Sequence, residues 1–526
     1  MKKILPLIIL FFIALIPVVP PVFSEDDDST VYVIREVDFN VIGRTRPYYL
    51  IMYGDFTKGE RIQGEVNLER YLARKVQLLN NQRVLDNEAT RIEYFPGAPE
   101  PDGAIPLRLL VHVEDTMNFI ILPYPKYDDN DGFSFTLKAR DYNFLGTMSP
   151  LRIDLGYKYD INKKHSFNFV FDSDTPFQAF DLDWNFNFDH TFNYTLGERL
   201  YYQNVTGLSF RLPWQSTAFT IGFNHYLTFN EKIDDANKPF YNNTKDYYDP
   251  YGSSELFAYW GIPLGIPVGS FGWLYYTPGL SGRISYPYYS MDDPHKPVTT
   301  FSQTIGFGSV DWIGNFRRGL TAYIGNWNSW YFDRSDAPLN ISLDANAAFY
   351  WPFNQIFGIT ARLRYRQWWQ WSDKNDKWLP YSSAGDVIRG VLNSDIKAFN
   401  MLSLNLDFPV RVLRFWPSEW FDKSRLRYFN FEMFFSPFLD LALLEGPYSK
   451  LKNQYNPTLE GTRFDFGDLI STTGLEVTVY PAIFRSFYIR GSLGYDINKI
   501  RNRGLPLKWG FFPQWDEIYI GVDLYY

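Results

Sequence analysis

The chain has 526 residues, a formal net charge of −8 and no cysteine, with aromatic residues at 19% and charged residues at only 21%. That much apolar material excludes a disordered chain, the acidic balance argues against a nucleic-acid binder, and the missing thiols exclude a disulfide framework or a thiolate nucleophile. Beyond the first 24 residues no uncharged apolar run reaches the ~18 residues of a spanning helix, which leaves an aromatic, strand-forming chain.

Lys2 and Lys3 precede an uncharged stretch from Ile4 to Pro21, and Ser24 stands just before the acidic run 25–28. This order of positive charge, apolar run and small residue predicts a secretory signal peptide over residues 1–24. Pro6, Pro17, Pro20 and Pro21 disfavour an uncleaved anchor helix. A lipoprotein is excluded, since there is no cysteine to acylate.

The next stretch mixes strands and helices. Val33, Val37, Phe39 and Val41 share the two-residue spacing of a strand running into Gly43. Thr45 is the candidate cap of a short helix with Pro47 in its first turn and Tyr48 to Tyr53 after it. Past the break at Lys58-Gly59-Glu60, Leu68, Leu72, Val76 and Leu79 mark one face of a second helix. Two strands follow, at 91–95 and 107–113, joined by a Pro/Gly turn. The expected order is strand–helix–helix–strand–strand, a small α/β domain assigned to residues 25–128.

From Gly132 onward the period becomes two and stays there. Phe180, Leu182, Trp184, Phe186 and Phe188 alternate with aspartates and asparagines, and Ile359, Ala361, Leu363 and Tyr365 alternate with Thr360, Arg362, Arg364 and Arg366. Such stripes suit a soluble sandwich, where the apolar face meets a second sheet. They equally suit a membrane barrel, where it meets lipid and the polar face lines the lumen. Three features favour the barrel. The segments run about ten residues, enough to cross a bilayer when tilted. Aromatic pairs such as Tyr201-Tyr202, Tyr275-Tyr276 and Trp368-Trp369 sit near segment ends, where interfacial girdles belong. The chain also stops on an aromatic residue, Tyr526, at the end of an alternating segment.

The expected fold is therefore mainly β, a transmembrane antiparallel β-barrel over residues 129–526. It must close, because an open edge in hydrocarbon leaves backbone groups unsatisfied. At about ten residues per strand the length implies an even count of about 16. The closing seam is expected between a first strand at 133–140 and a last one at 518–526.

This arrangement resembles the BamA/TamA superfamily of outer-membrane proteins, also called bacterial surface antigens, in which a polypeptide-transport-associated (POTRA) domain feeds a C-terminal barrel. Val111-His112-Val113-Glu114-Asp115 resembles the last POTRA strand with its acidic end, and Asp141-Tyr142-Asn143-Phe144-Leu145-Gly146-Thr147 resembles the turn after the first barrel strand. Val387-Ile388-Arg389-Gly390-Val391 resembles the Arg-Gly tip of the sixth extracellular loop, and Leu404-Asn405-Leu406-Asp407-Phe408-Pro409-Val410 the strand behind it. Pro437-Phe438-Leu439-Asp440-Leu441 resembles the next strand, whose aspartate receives that arginine. The last eight residues resemble a C-terminal β-signal, marked by Gly521, Leu524 and Tyr526. Val391, Asn405 and Ala442 stand where the family pattern has an aromatic, an acidic residue and a glycine.

The resemblance implies a loop folded into the lumen and latched there by Arg389, Gly390 and Asp440. An arginine at such a site needs a partner, and its forked contact with a carboxylate is one that lysine cannot reproduce. The resemblance also implies a periplasmic POTRA-like domain that accepts extended clients by β-augmentation. The seam would then assist insertion, assembly or translocation of polypeptides at the bacterial outer membrane, without nucleotide hydrolysis. The implied partners are the outer-membrane bilayer, client outer-membrane or secreted polypeptides and periplasmic accessory proteins. No nucleic acid and no cofactor are expected.

No enzymatic constellation emerges. The five histidines are scattered, with no pair at metal-binding helical spacing, and neither a nucleophile elbow nor a phosphate-binding loop occurs. The chain is expected not to be an enzyme. Two other readings stay open from sequence: a passive porin-like channel gated by the N-terminal domain, and a surface interaction protein presenting loops such as 233–252.

Overall fold

A computed structural model describes residues 30–128, 132–160, 162–215, 217–232, 247, 250–287, 297–332, 339–371, 382–383, 387–391, 396–398, 400–421, 424–445, 448–449, 454–455, 469–482, 487–498, 500, 507–508, 512–513 and 517–524. The expected signal peptide, most of the 233–252 loop and Tyr526 lie outside the described residues.

The N-terminal unit is a four-stranded sheet covered on one face by two helices. Its elements are β1 (Val31–Ile42), α1 (Pro47–Gly54), β2 (Arg61–Gln63), α2 (Glu65–Asn80), β3 (Arg91–Pro96) and β4 (Ile105–Glu114). The sheet order is β2-β1-β4-β3, with β1 parallel to β4 and the other pairs antiparallel. Alternation in β4 sends Leu107, Leu109, Val111 and Val113 to the helix side, where they are buried with Ile34, Leu50, Leu68 and Leu79.

α1 opens on Pro47, whose missing N–H costs nothing in a first turn. It stops where Asp55 turns left-handed at φ 54°. Thr45 does not cap this helix: its hydroxyl donates to Asp115 instead, at 2.5 Å, and Arg46 holds the cap position with no side-chain bond.

The rest of the described residues form a closed antiparallel barrel of 18 staves, two more than expected, with two small sheets in its connections. Asn400–Asp407 and Val410–Phe415 form one stave, since both pair with Phe431–Glu445, with the ladder interrupted at Phe408-Pro409 and shifted in register between Arg411 and Leu413. The barrel begins earlier than the sequence suggested. Its first stave is β5 (Phe119–Asp128), and Gly132–Asp141, here β6, is the second. Pro123 and Pro125 hide β5 from a pattern reading, because proline inside a run argues against a strand except at an edge. Tight turns add to the count: Phe180 and Asp181, both at positive φ, join Ala179 to Leu182 in a two-residue hairpin.

The alternating stripes fall on opposite sides of this wall. Phe133, Phe135 and Leu137 in β6 point outward and are each at least two-fifths exposed, as are Leu155, Phe167, Leu256 and Leu280 around the circumference. Closure leaves no second sheet to cover them. Hydrocarbon does so instead, at a gain of about 1.5–3 kcal/mol for each large apolar side chain removed from water. The inward positions are polar: Arg140 and Asp154, both buried, pair at 2.5 Å inside the wall. One rim carries the short turns and the other the long connections, and the N-terminal unit sits at the short-turn rim.

Candidate functional site

Residues 387–391 return from the long-loop rim into the lumen and are held there. Arg389 grips Asp440 with three donors: its backbone N–H at 2.9 Å and Nε at 3.0 Å to Oδ2, and Nη2 at 2.7 Å to Oδ1. Its Nη1 donates to Asp407 Oδ1 at 2.6 Å and to Glu476 Oε2 at 3.5 Å. The guanidinium also lies 3.9 Å over the Phe438 ring. Asp440 is fully buried.

The arginine and aspartate are thus brought together in the forked contact expected of them. Asp407, Glu476 and Phe438 were missed as partners, although Asp407 was legible. Met401, Ser403, Asn405 and Asp407 share one face of an alternating strand, so Asp407 faces the lumen wherever Asn405 does.

Glycines make room for the tip. Gly390 sits at φ 82°, a region that favours glycine, and lies against Gly494 of the Phe487–Asp496 stave. Gly474 opens the space filled by the Phe438 ring, since a Cβ there would come 2.5 Å from that ring.

Val391 and Ala442 pack in one buried cluster with Ile388, Met401 and Ile470. Asn405, in place of a carboxylate, donates at 2.7 Å to the Val387 carbonyl and pins the loop by its backbone.

The barrel closes through a short seam, and the stave that meets the last one is β5 rather than the expected 133–140. Among the described residues two pairs form the ladder between β5 and Glu517–Leu524: Asp128 with Tyr519 and Tyr127 with Ile520. On its other side β5 pairs with β6 over all ten residues, and the last stave pairs over eight with Phe487–Asp496. Continued, the seam register would set Val522 against Pro125 and Leu524 against Pro123. Neither proline has an amide to give. Side chains bridge the gap: the Tyr124 and Tyr519 hydroxyls lie 3.3 Å apart, and Lys126 Nζ lies 5.4 Å from the centre of the Tyr519 ring. Of the three residues expected to mark a β-signal, Gly521 and Leu524 lie in this last stave, opposite Arg490 and Phe487 in the ladder.

The N-terminal unit is bolted to the barrel at three places on the short-turn rim. At the junction, Asp115 accepts from the Arg44 and Thr45 amides and from Asn143 Nδ2 at 3.0 Å, while Arg44 reaches Asp141 at 3.0 Å. From α1, Tyr48 donates to Asp183 and Tyr49 to the Pro176 carbonyl at 2.6 Å. Burial and the Asp183 carboxylate push the Tyr48 hydroxyl well above the usual phenol range. From α2 and the segment after it, Arg74 pairs with Asp311 at 2.8 Å, Gln77 donates to the Trp312 carbonyl at 3.1 Å, and Arg83 stacks 4.4 Å over the Trp312 ring.

A closed antiparallel wall, a lipid-facing apolar surface, a polar lumen and an inserted loop define an outer-membrane β-barrel protein. Among solved structures the chain is similar to CdiB from Acinetobacter baumannii, at 12% identity and a TM-score of 0.47, covering 94% of this chain and 74% of that one. It is also similar to BamA from Haemophilus ducreyi lacking POTRA domains 1–3, at 13% identity and a TM-score of 0.44, over 94% and 84%. CdiB from Escherichia coli follows at 8% identity and a TM-score of 0.40, over 96% and 92%. No protein-family model and no curated protein matches the chain.

Proposed function

We propose that this protein assists insertion, assembly or translocation of polypeptides at the outer membrane, using the β5 seam as the template for a client strand and holding its α/β unit in the periplasm. The observation that carries this reading is the two-pair seam. Among the described residues the seam ladder does not continue from Tyr127 and Ile520 toward Pro125 and Val522, and an edge left open in this way is the condition under which an added strand pairs. The latch supports the same reading: a lumen occupied by residues 387–391 is poorly suited to steady solute flow.

The test uses the absence of native cysteine. Tyr127→Cys with Ile520→Cys places two thiols at directly opposed positions, within the reach of a disulfide. Oxidation should stop client assembly, seen as a changed outer-membrane proteome on replacement of the native chain, and reductant should restore it. An outer-membrane proteome that is the same with the seam locked, unlocked or the protein depleted defeats the proposal. Steady conductance that persists without residues 31–128 would point to a channel instead.

A further inference from the structure

Inside the barrel, close to the short-turn rim, lies a cavity of about 140 Å³ whose wall includes Arg317, Tyr350, Thr360, Arg362, Ser436 and Thr478. Two guanidinium groups flank one ring there: Arg317 lies 5.4 Å and Arg362 6.0 Å from the centre of Tyr350, and Arg317 Nη1 donates to the Tyr350 hydroxyl at 3.4 Å.

The carboxylates at this cavity are held by other arginines. Asp407 and Glu476 also line it, but both are already engaged by Arg389, and Arg490 takes a further share of Glu476 at 3.6 Å. Arg362 Nε is buried and has no hydrogen-bond partner among the described residues. A buried donor on a charged group costs more than a neutral one when it is left unmade. The neighbouring Arg366, by contrast, is paired with Asp344 at 2.9 Å.

We propose that this cavity binds a small tetrahedral oxyanion of the phosphate class, held by Arg362 and Arg317. The chemistry of the lining agrees with that class, and the space is large enough to hold more than one water. The donors come from several staves: Arg317 from Phe316–Tyr331, Thr360 and Arg362 from Gly358–Trp371, Ser436 from Phe431–Glu445, and Thr478 from Ile470–Pro481. Donors spread around a centre match a tetrahedral acceptor better than a flat carboxylate, and a guanidinium fork meets two of its oxygens at once.

The experiment is calorimetric titration of the full chain, folded in a neutral detergent, with inorganic phosphate at fixed ionic strength. Saturable one-site binding is expected, with acetate at least tenfold weaker. Arg362→Gln should weaken phosphate by about tenfold or more, the equivalent of one charged hydrogen bond, while Arg366→Gln leaves it unchanged. If Arg362→Gln fails to show the heat-modifiable gel shift of a folded barrel, Thr360→Val and Ser436→Ala carry the test and should each weaken binding. Glycerol phosphate and a short-chain phosphatidic acid separate the sources. Binding of phosphate and glycerol phosphate alone assigns a free ion or small ester, and binding of the lipid as well assigns a headgroup. Heat that follows ionic strength only, or phosphate binding equal in all the variants, overturns the proposal.

Discussion

Gly390 and Gly494 meet backbone to backbone: a Cβ built on Gly494 would sit 2.5 Å from the Gly390 Cα and 2.6 Å from its nitrogen. The loop tip therefore touches the barrel wall where neither partner has a side chain. A methyl at Gly494 must push the tip away and disturb the grip on Asp440. Gly494→Ala is expected to cost about 1–3 kcal/mol, the usual penalty of overpacking. Gly491→Ala in the same stave, where a Cβ meets nothing closer than 3.9 Å, should cost far less. Urea midpoints in detergent, followed by tryptophan fluorescence, measure both. Equal effects would remove the close contact from the account.

The latch itself predicts an asymmetry. Asp440→Ala leaves Arg389 with Asp407 and Glu476, whereas Arg389→Ala takes the ion pair from both Asp440 and Asp407 and leaves Glu476 to Arg490. Breaking a buried pair costs about 3–5 kcal/mol, most of it from the abandoned charge. Arg389→Ala should therefore be the more damaging change, and the double variant should cost less than the sum of the singles. Planar-bilayer conductance gives a second readout, since releasing residues 387–391 from the lumen should raise it. Additive stabilities with unchanged conductance would show that the arginine does not hold the loop.

The strand–helix–helix–strand–strand order was legible because each element carries its own period and stop signal: Pro47 opens α1, and Leu68, Leu72 and Leu79 mark the face of α2 that packs on the sheet. The Arg389–Asp440 contact was reached through a resemblance of ordered motifs, since no local spacing links two residues 51 apart. What stayed hidden depended on tertiary context. Thr45 looks like a cap in sequence, but its hydroxyl is taken by Asp115, 70 residues away. β5 was misjudged because the rule that proline ends a strand holds for central strands and fails at a seam, where one side of the ladder is barely used.

The α2 contact with the barrel yields a prediction that separates docking from folding. Trp312 receives Arg83 on its ring at 4.4 Å, Gln77 on its carbonyl, and donates its own N–H to Asn81 at 3.0 Å. The backbone bonds survive a side-chain change, but the stacking does not, and a cation over tryptophan is worth about 0.5–2 kcal/mol. Trp312→Ala should raise hydrogen exchange across α2 several-fold, while the heat-modifiable mobility of the barrel stays native. Exchange unchanged in α2 would mean that the ring contributes nothing to docking.

The seam prolines make the most direct prediction about function. Pro123 and Pro125 lie where the β5 ladder with Glu517–Leu524 would continue, and pairing ends at Tyr127 before either is reached. Thr is compatible with a strand at both positions and restores an amide at each. Pro123→Thr with Pro125→Thr should lengthen the seam toward Val522 and Leu524, adding ladder bonds of about 0.5–1.5 kcal/mol each. The barrel should then unfold at higher urea. If the short seam serves client strands, the same variant should assemble them more slowly, so stability and activity move in opposite directions. A barrel made more stable with client assembly undiminished would leave the prolines a structural feature only and would detach the seam from the function proposed for it.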